Sequence, residues 1–163
     1  MNDLLTDRLA VHPLTAGEAE RVVAADRGPD TAWAPDYPAE GERTGARMFL
    51  KACAAVGDPH PFGGYEIRLR AGGLAIGGIG FHGPPDAEGA VEIGYGLAES
   101  ARGHGYAAEA LRAVVEHARS LGVRHVRGNT THDNVPSQRV MLAAGLVQVR
   151  ADEELVHYEL TLS

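Results

Sequence analysis

The residues best suited to chemistry form a short glycine-containing run beyond the middle of the chain. They are Arg102, Gly103, His104, Gly105, Tyr106 and Ala107. The two glycines let the backbone turn tightly, and the apolar spacing that follows predicts a long helix beginning here. The first turn of a helix presents unpaired N–H groups and partial positive charge, which suit a pyrophosphate. No Lys-Ser or Lys-Thr pair follows, so nucleotide hydrolysis is disfavoured.

A second candidate is Glu92, which lies in a β-rich run at residues 90–97. Side chains alternate along a strand, so Glu92 shares one face with Gly94 and Gly96. A carboxylate beside two positions without side chains predicts an open groove. Glu92 can act there as a general base through water or bind a cationic amine. A solvent-facing glutamate without function remains the alternative.

The elements around these residues predict one α/β domain of the α+β type over residues 1–163. About seven strands are expected, at residues 9–11, 62–70, 74–81, 90–97, 123–131, 146–150 and 155–160. About four helices are expected, at residues 15–26, 40–56, 106–122 and 134–145. The strand, helix, strand order over residues 90–131 predicts a right-handed parallel crossover. The sheet is therefore expected to be mixed and mostly antiparallel.

The order and spacing of these motifs resemble the GNAT superfamily of N-acetyltransferases over almost the whole chain. The family's pyrophosphate loop reads Arg or Gln, two residues, Gly, one residue, then Gly or Ala, which Arg102, Gly105 and Ala107 match. The sequences VEIGYGL at 91–97 and NVPSQRV at 134–140 look like the branch that acetylates ribosomal-protein N-termini at alanine or serine. No metal belongs to this pattern.

The resemblance implies that acetyl-CoA is the cosubstrate and that its acetyl group passes to a primary amine. The acceptor would be a protein N-terminus or a small molecule. By resemblance, residues 102–107 hold the pyrophosphate, at the parallel crossover. The backbone of Ile93, Gly94 and Tyr95 would pair with the pantetheine arm and polarise the thioester carbonyl.

The thiol end of the site departs from the family pattern. Asn134 fits the position that binds the pantetheine arm, and it can also cap the last helix. Many members place a tyrosine seven residues later to protonate the leaving thiolate, but this chain has Met141. Ser137 stands where the ribosomal branch carries a serine for the departing sulfur. An exposed helix serine without function is the alternative.

The acceptor side is less well marked. Trp33 and Tyr37 lie in a proline-rich stretch where related enzymes line the acceptor pocket. Such aromatic residues also commonly pin a loop to the core. Both are therefore candidate substrate-binding residues, and nothing in the stretch identifies the amine.

The amino-acid composition limits the kinds of molecule that the chain is expected to bind. The chain has 15 basic and 22 acidic residues and a net charge of -7, which disfavours nucleic acid and anionic membranes. A lone Cys53 and eight scattered histidines give no metal-site spacing, so no metal is expected. The N-terminus lacks a signal pattern, which predicts a cytoplasmic protein. Formation of a homodimer through exposed faces is left open.

Two other functions remain open at this level. A non-catalytic acyl-CoA sensor would bind the cofactor without turnover, as the replacement by Met141 suggests. An interaction domain that has lost the cofactor is disfavoured by the intact loop at 102–107 and by Asn134.

Overall fold

The computed structural model describes residues 1–29 and 31–162, and within them one sheet of eight strands is flanked by four α-helices. The strands are β1 (Leu4–Leu5), β2 (Leu9–Pro13), β3 (Gly64–Leu69), β4 (Ala75–Phe81), β5 (Ala90–Leu97), β6 (His125–Thr131), β7 (Val147–Ala151) and β8 (Leu155–Thr161). The helices are α1 (Ala16–Ala24), α2 (Glu40–Val56), α3 (Tyr106–Ser120) and α4 (Val135–Ala143), with a short 3-10 helix at Glu99–Ala101. The α+β fold class predicted from the sequence is confirmed.

The sheet order is β1-β2-β3-β4-β5-β6-β8-β7. Every neighbouring pair is antiparallel except β5 and β6, which are parallel and are joined through α3. The predicted parallel crossover and the mostly antiparallel sheet are therefore confirmed. The eighth strand, β1, was not expected, because two residues are too few to show alternation.

Side-chain caps fix the start of two helices. The Thr15 Oγ accepts the Glu18 N–H at 3.1 Å, and the Glu18 carboxylate accepts the Thr15 N–H at 2.9 Å, which together form a capping box. At the start of α4 the Asn134 side-chain oxygen accepts the Ser137 N–H at 3.2 Å. Asn134 therefore caps this helix, as its position in the sequence suggests.

Helices cover both faces of the sheet at β5. On one face, Glu42 of α2 lies against Gly96, with Oε2 3.2 Å from the place a Cβ atom would take. On the other, the Tyr95 hydroxyl lies 2.9 Å from the Ser137 hydroxyl of α4, which packs beside α3. Alternate residues of β5 thus face two different environments. Within residues 1–29 and 31–162, no helix combines the length and apolar character needed to cross a membrane.

Candidate functional site

The sheet splits halfway along β5. The parallel pairing of β5 with β6 runs only from Ala90, opposite His125, to Glu92, opposite Arg127. Beyond Glu92, β5 continues to its end paired with β4, and β6 continues paired with β8. The two strands therefore diverge, and the second half of β5 has an open backbone edge.

The direction of the β5 backbone groups follows from two hydrogen bonds. The Glu92 carbonyl accepts the His82 N–H, and the Ala98 N–H donates to the Ile76 carbonyl, each at 2.8 Å. Even-numbered residues of β5 thus bond to β4. Because backbone groups alternate along a strand, those of residues 93, 95 and 97 point into the gap. This edge includes two of the residues, Ile93 and Tyr95, that were predicted to contact the pantetheine arm.

The glycine loop, residues 102–107, joins the 3-10 helix to α3 beside this gap. Gly103 and Gly105 have φ angles of 86° and 80°, a left-handed conformation that side chains other than glycine rarely adopt. Gly105 is the N-cap of α3 and supplies no capping side chain, so the first-turn N–H groups at Tyr106 and Ala107 have no side-chain acceptor. The Arg102 Nε donates to the Leu97 carbonyl at 3.3 Å, which ties the loop to the open edge.

Arg8 holds the glycine loop from the opposite side. Its Nη1 donates to the His104 carbonyl at 2.8 Å, and its Nε donates to Glu109 of α3 at 2.7 Å. The guanidinium also lies 4.6 Å from the centre of the Tyr106 ring, a cation–π contact. Sequence reasoning missed Arg8, since it is remote in the chain and belongs to no motif.

Tyr95 bridges the gap to α4. Its hydroxyl lies 2.9 Å from the Ser137 Oγ and 3.0 Å from the Ser137 carbonyl oxygen. Burial raises the pKa of Tyr95, against the opposing effect of the bond to Ser137. Ser137 and the buried Met141 lie one helical turn apart on α4. The Tyr95 phenol therefore reaches the helix face on which many family members carry a tyrosine and this chain carries Met141.

On the other face of β5, a cavity of about 700 Å³ lies between α2 and the sheet. Its floor has four positions without side chains: Gly78, Gly80, Gly94 and Gly96. Ala46 and Phe49 of α2 form an apolar wall. Because Gly94 and Gly96 belong to the half of β5 with the open edge, this cavity meets the gap at one strand. The open groove predicted beside Glu92 is present here.

Two polar groups stand at this floor. The His82 ring lies over Gly94, where a Cβ atom would come within 2.7 Å of its Nε2. The half-exposed Glu92 carboxylate lies 3.6 Å from the His82 Nδ1 and accepts a hydrogen bond from Asn129 at 3.0 Å. Glu42 lies over Gly96, and burial raises the pKa of its carboxyl. Glu92 thus contacts His82 rather than lining the cavity itself.

The two predicted acceptor aromatics are placed differently. Tyr37 is buried, lines the cavity and donates its hydroxyl to Glu66 at 2.7 Å. Burial and the adjacent Glu66 carboxylate raise the pKa of Tyr37. Trp33 packs edge-to-face on Tyr37, with ring centres 5.5 Å apart, and does not line the cavity. Trp33 therefore supports Tyr37 from behind.

The split between parallel strands lies beside a glycine loop and a helix N-terminus, a combination that can accommodate a pyrophosphate-containing ligand. Residues 8–147 match the family model described as the acetyltransferase (GNAT) domain. The chain belongs to the GNAT acetyltransferase family. GNAT membership implies acetyl-CoA-dependent acetyl transfer.

Individual relatives of this GNAT chain are distant. It is 33% identical over 84 residues to the uncharacterized N-acetyltransferase YjdG of Bacillus subtilis, covering 51% of this chain and 50% of that protein. The match thus spans about half the length of that curated relative. An acetyltransferase of Agrobacterium tumefaciens superposes with a TM-score of 0.68 at 26% identity, covering 98% and 94% of the two chains. A ribosomal-protein-S5-alanine acetyltransferase of Vibrio fischeri superposes at 0.71 and 13% identity, covering 99% and 97%.

Sequence reasoning missed His82, Glu42 and Arg8 at this GNAT site. His82 follows β4 in a turn, and its position over Gly94 depends on the pairing of β4 with β5. Glu42 has the spacing of a helix cap residue, which gave no reason to expect a cavity. The sequence did predict a groove at Gly94 and Gly96, because glycine has no side chain. His82 and Glu42 lie in that space.

Proposed function

We propose that this chain transfers the acetyl group of acetyl-CoA to a primary amine by direct attack of the amine on the thioester. The observation that carries the proposal is the meeting of the acceptor cavity and the sheet split at Gly94 to Gly96. An amine in the cavity can reach the open β5 edge from one face. The thiol end can face α4 on the other. The acceptor is a protein N-terminal amine or a small-molecule amine.

The residues around the split fit the cofactor. The open edge at Ile93 and Tyr95 offers N–H and C=O groups of the kind that a pantetheine amide chain pairs with. Gly103 and Gly105 let the loop backbone approach a pyrophosphate, with the N-terminus of α3 behind it. Asn134 uses its side-chain oxygen as a cap, which leaves its NH2 group for the cofactor. Acetyl-CoA, when bound, supplies an activated acetyl thioester.

His82 and Glu92 are placed to remove the amine proton. An alkylammonium has a pKa of about 10.4, so a base must take a proton before or during attack. The His82 Nε2 lies over Gly94, on the cavity face of β5. Glu92 lies behind the ring, with its carboxylate 3.6 Å from the His82 Nδ1. In this proposal Glu92 acts through His82, and the alternative is that Glu92 acts through water.

Ser137 and Tyr95 are placed to return a proton to the leaving sulfur. The Tyr95 hydroxyl donates to the Ser137 carbonyl at 3.0 Å and lies 2.9 Å from the Ser137 Oγ. Because the carbonyl takes the one Tyr95 hydrogen, the Ser137 hydroxyl hydrogen points either at the Tyr95 oxygen or at the sulfur. This pair supplies the hydroxyl that Met141 does not. The backbone N–H groups at residues 93 and 95 would polarise the thioester carbonyl.

A non-catalytic acyl-CoA sensor is the second candidate, favoured by the buried Met141 where the family's acid stands. The two functions differ in turnover and not in cofactor binding. A sensor has no need of a cavity of about 700 Å³ that opens onto the reacting end of the cofactor, so the cavity favours the enzyme.

The test is release of free thiol from acetyl-CoA by purified protein across a panel of amines, with calorimetric measurement of acetyl-CoA binding alongside. The panel includes peptides with Ala or Ser at the N-terminus and small alkyl amines. Thiol release that depends on one class of amine supports the transferase and names its acceptor. Binding without turnover across the panel supports the sensor, and the absence of binding overturns both.

A further inference from the structure

A buried carboxylate in the acceptor cavity has no part in the transfer proposed above. Glu42 is 8% exposed and lines the cavity. Its Oε1 accepts the Ala39 N–H at 3.3 Å, as expected of a capping box. The Glu42 backbone N–H also bonds to the carboxylate, and within residues 1–29 and 31–162 no side chain donates a hydrogen bond to it. Oε1 of Glu42 therefore caps the helix, whereas Oε2 faces the cavity.

The position of Oε2 is defined by the cavity floor. A Cβ atom on Gly96 would lie 3.2 Å from Oε2, and one on Gly94 would lie 2.7 Å from the His82 Nε2. Gly94 and Gly96 are two residues apart on one face of β5, which corresponds to about 7 Å. The proposed base and the free carboxylate oxygen thus stand over neighbouring positions on the same floor.

Among the described residues that line the cavity, Glu42 is the acidic one. Burial is the largest influence on its pKa and raises it, while Arg102 lowers it and Asp36 raises it to a smaller extent. Lys51 lines the cavity from an exposed position on α2. Between Glu42 and His82 the walls are apolar, with Phe49 among them. A buried carboxylate in such surroundings is stabilised by a cation that enters the cavity.

We propose that Glu42 binds a second positively charged nitrogen of the acceptor, so that the preferred acceptors are alkyl diamines. One nitrogen lies by His82 over Gly94 and is acetylated. The other, protonated, lies by the Glu42 carboxylate about 7 Å away, with the alkyl chain against the apolar wall. The inference rests on the proposed function, which places the acetylated nitrogen.

The experiment compares butanediamine and pentanediamine with butylamine and pentylamine by steady-state thiol release. We expect kcat/KM for the diamines to exceed that of the monoamines by about tenfold or more, beyond the statistical advantage of two equivalent nitrogens. Equal values for the two classes, with turnover of both, would overturn the role of Glu42 and leave the proposed function standing. Better turnover of Ala or Ser peptides than of diamines would also overturn it.

Glu42→Gln separates binding from folding, because glutamine keeps an oxygen that can accept the Ala39 N–H. We expect kcat/KM for the diamines to fall about tenfold more than kcat/KM for the monoamines. Glu40→Gln is the matched control, since Glu40 begins the same helix, is exposed and pairs with Arg47 at 3.0 Å. An equal loss for both amine classes in Glu42→Gln would indicate a structural role only. No turnover of any amine by the unaltered protein would overturn the proposed function itself.

Discussion

The two sides of β5 are built from different kinds of groups. The side proposed to bind the cofactor consists mainly of backbone: the open edge at residues 93–97, the glycine loop and the N-terminus of α3. The side proposed to bind the acceptor consists of side chains from separate elements, chiefly His82 and Glu42, which lie over glycines. A backbone site tolerates changes of side chain but not of conformation. A side-chain site depends on particular residues, so the acceptor can change while the cofactor stays the same.

The largest expected effect is on the acceptor side. His82→Ala should lower kcat by about a hundredfold to ten-thousandfold, the usual contribution of a general base, without weakening acetyl-CoA binding. Stopped-flow thiol release and calorimetry measure the two quantities, and added imidazole should restore part of the rate. His125→Ala, at the start of β6 and outside the cavity lining, is the control. Retention of more than about a tenth of kcat would remove His82 from the proton transfer and return that role to Glu92 through water.

Backbone strain in the glycine loop should weaken the binding of acetyl-CoA. Gly105→Val forces a β-branched residue into a φ of 80°, and we expect acetyl-CoA binding to weaken about tenfold to a hundredfold. Gly122→Val places the same residue at a φ of 81° just beyond the other end of α3 and controls for strain alone. Calorimetry on both variants decides the matter. Equal losses of affinity would show that the glycine loop matters only for folding.

Ser137→Ala and Tyr95→Phe should each reduce kcat by several fold to about tenfold, since each removes one hydroxyl of the bridging pair. The double variant should lose little more than the stronger single variant, because the two hydroxyls act as one unit. A double-mutant cycle on thiol release tests this coupling. Fully additive losses would mean that Tyr95 and Ser137 act separately.

The smallest effect concerns stability and pH. Burial raises the pKa of Glu42, so its ionisation opposes folding as the pH rises above the ordinary pKa of a glutamate side chain. Glu42→Gln should therefore raise the free energy of unfolding at neutral pH, with the gain shrinking at acidic pH where the carboxyl is protonated in both states. Urea denaturation at two pH values measures it.

Glu40→Gln should change stability in the opposite direction. Hydrogen bonding to Arg47 lowers the pKa of the exposed Glu40, so its ionised form is favoured in the folded protein and that contribution is lost as the pH falls. The same sign for Glu42→Gln and Glu40→Gln at neutral pH would mean that the cavity does not penalise the buried carboxylate.

The sequence predicted the strand and the helix on either side of the glycine loop for a physical reason. The glycine loop, the strand before it and the helix after it are contiguous, and their positions follow from local periodicity and conformational preference. The Asn134 cap is likewise local and was confirmed, and the Thr15 capping box also joins residues only three apart. Strand β1 was missed because it exists only through its pairing with β2.

The acceptor side could not be assembled from the sequence. His82 reaches Gly94 only because β4 pairs with β5 in one register, and Glu42 reaches Gly96 only because α2 crosses that face of the sheet. Arg8 meets the glycine loop across 96 residues of chain. No pattern of neighbouring residues encodes such contacts.

By itself, the sequence determined the family, the order of the elements and the tight turn of the glycine loop, because those features depend on residues that are close in the chain. Only the tertiary structure decided which side chains stand in the acceptor cavity and which hydroxyl bridges the gap between β5 and α4. Those positions depend on sheet register and helix packing, which bring together residues that are far apart in sequence.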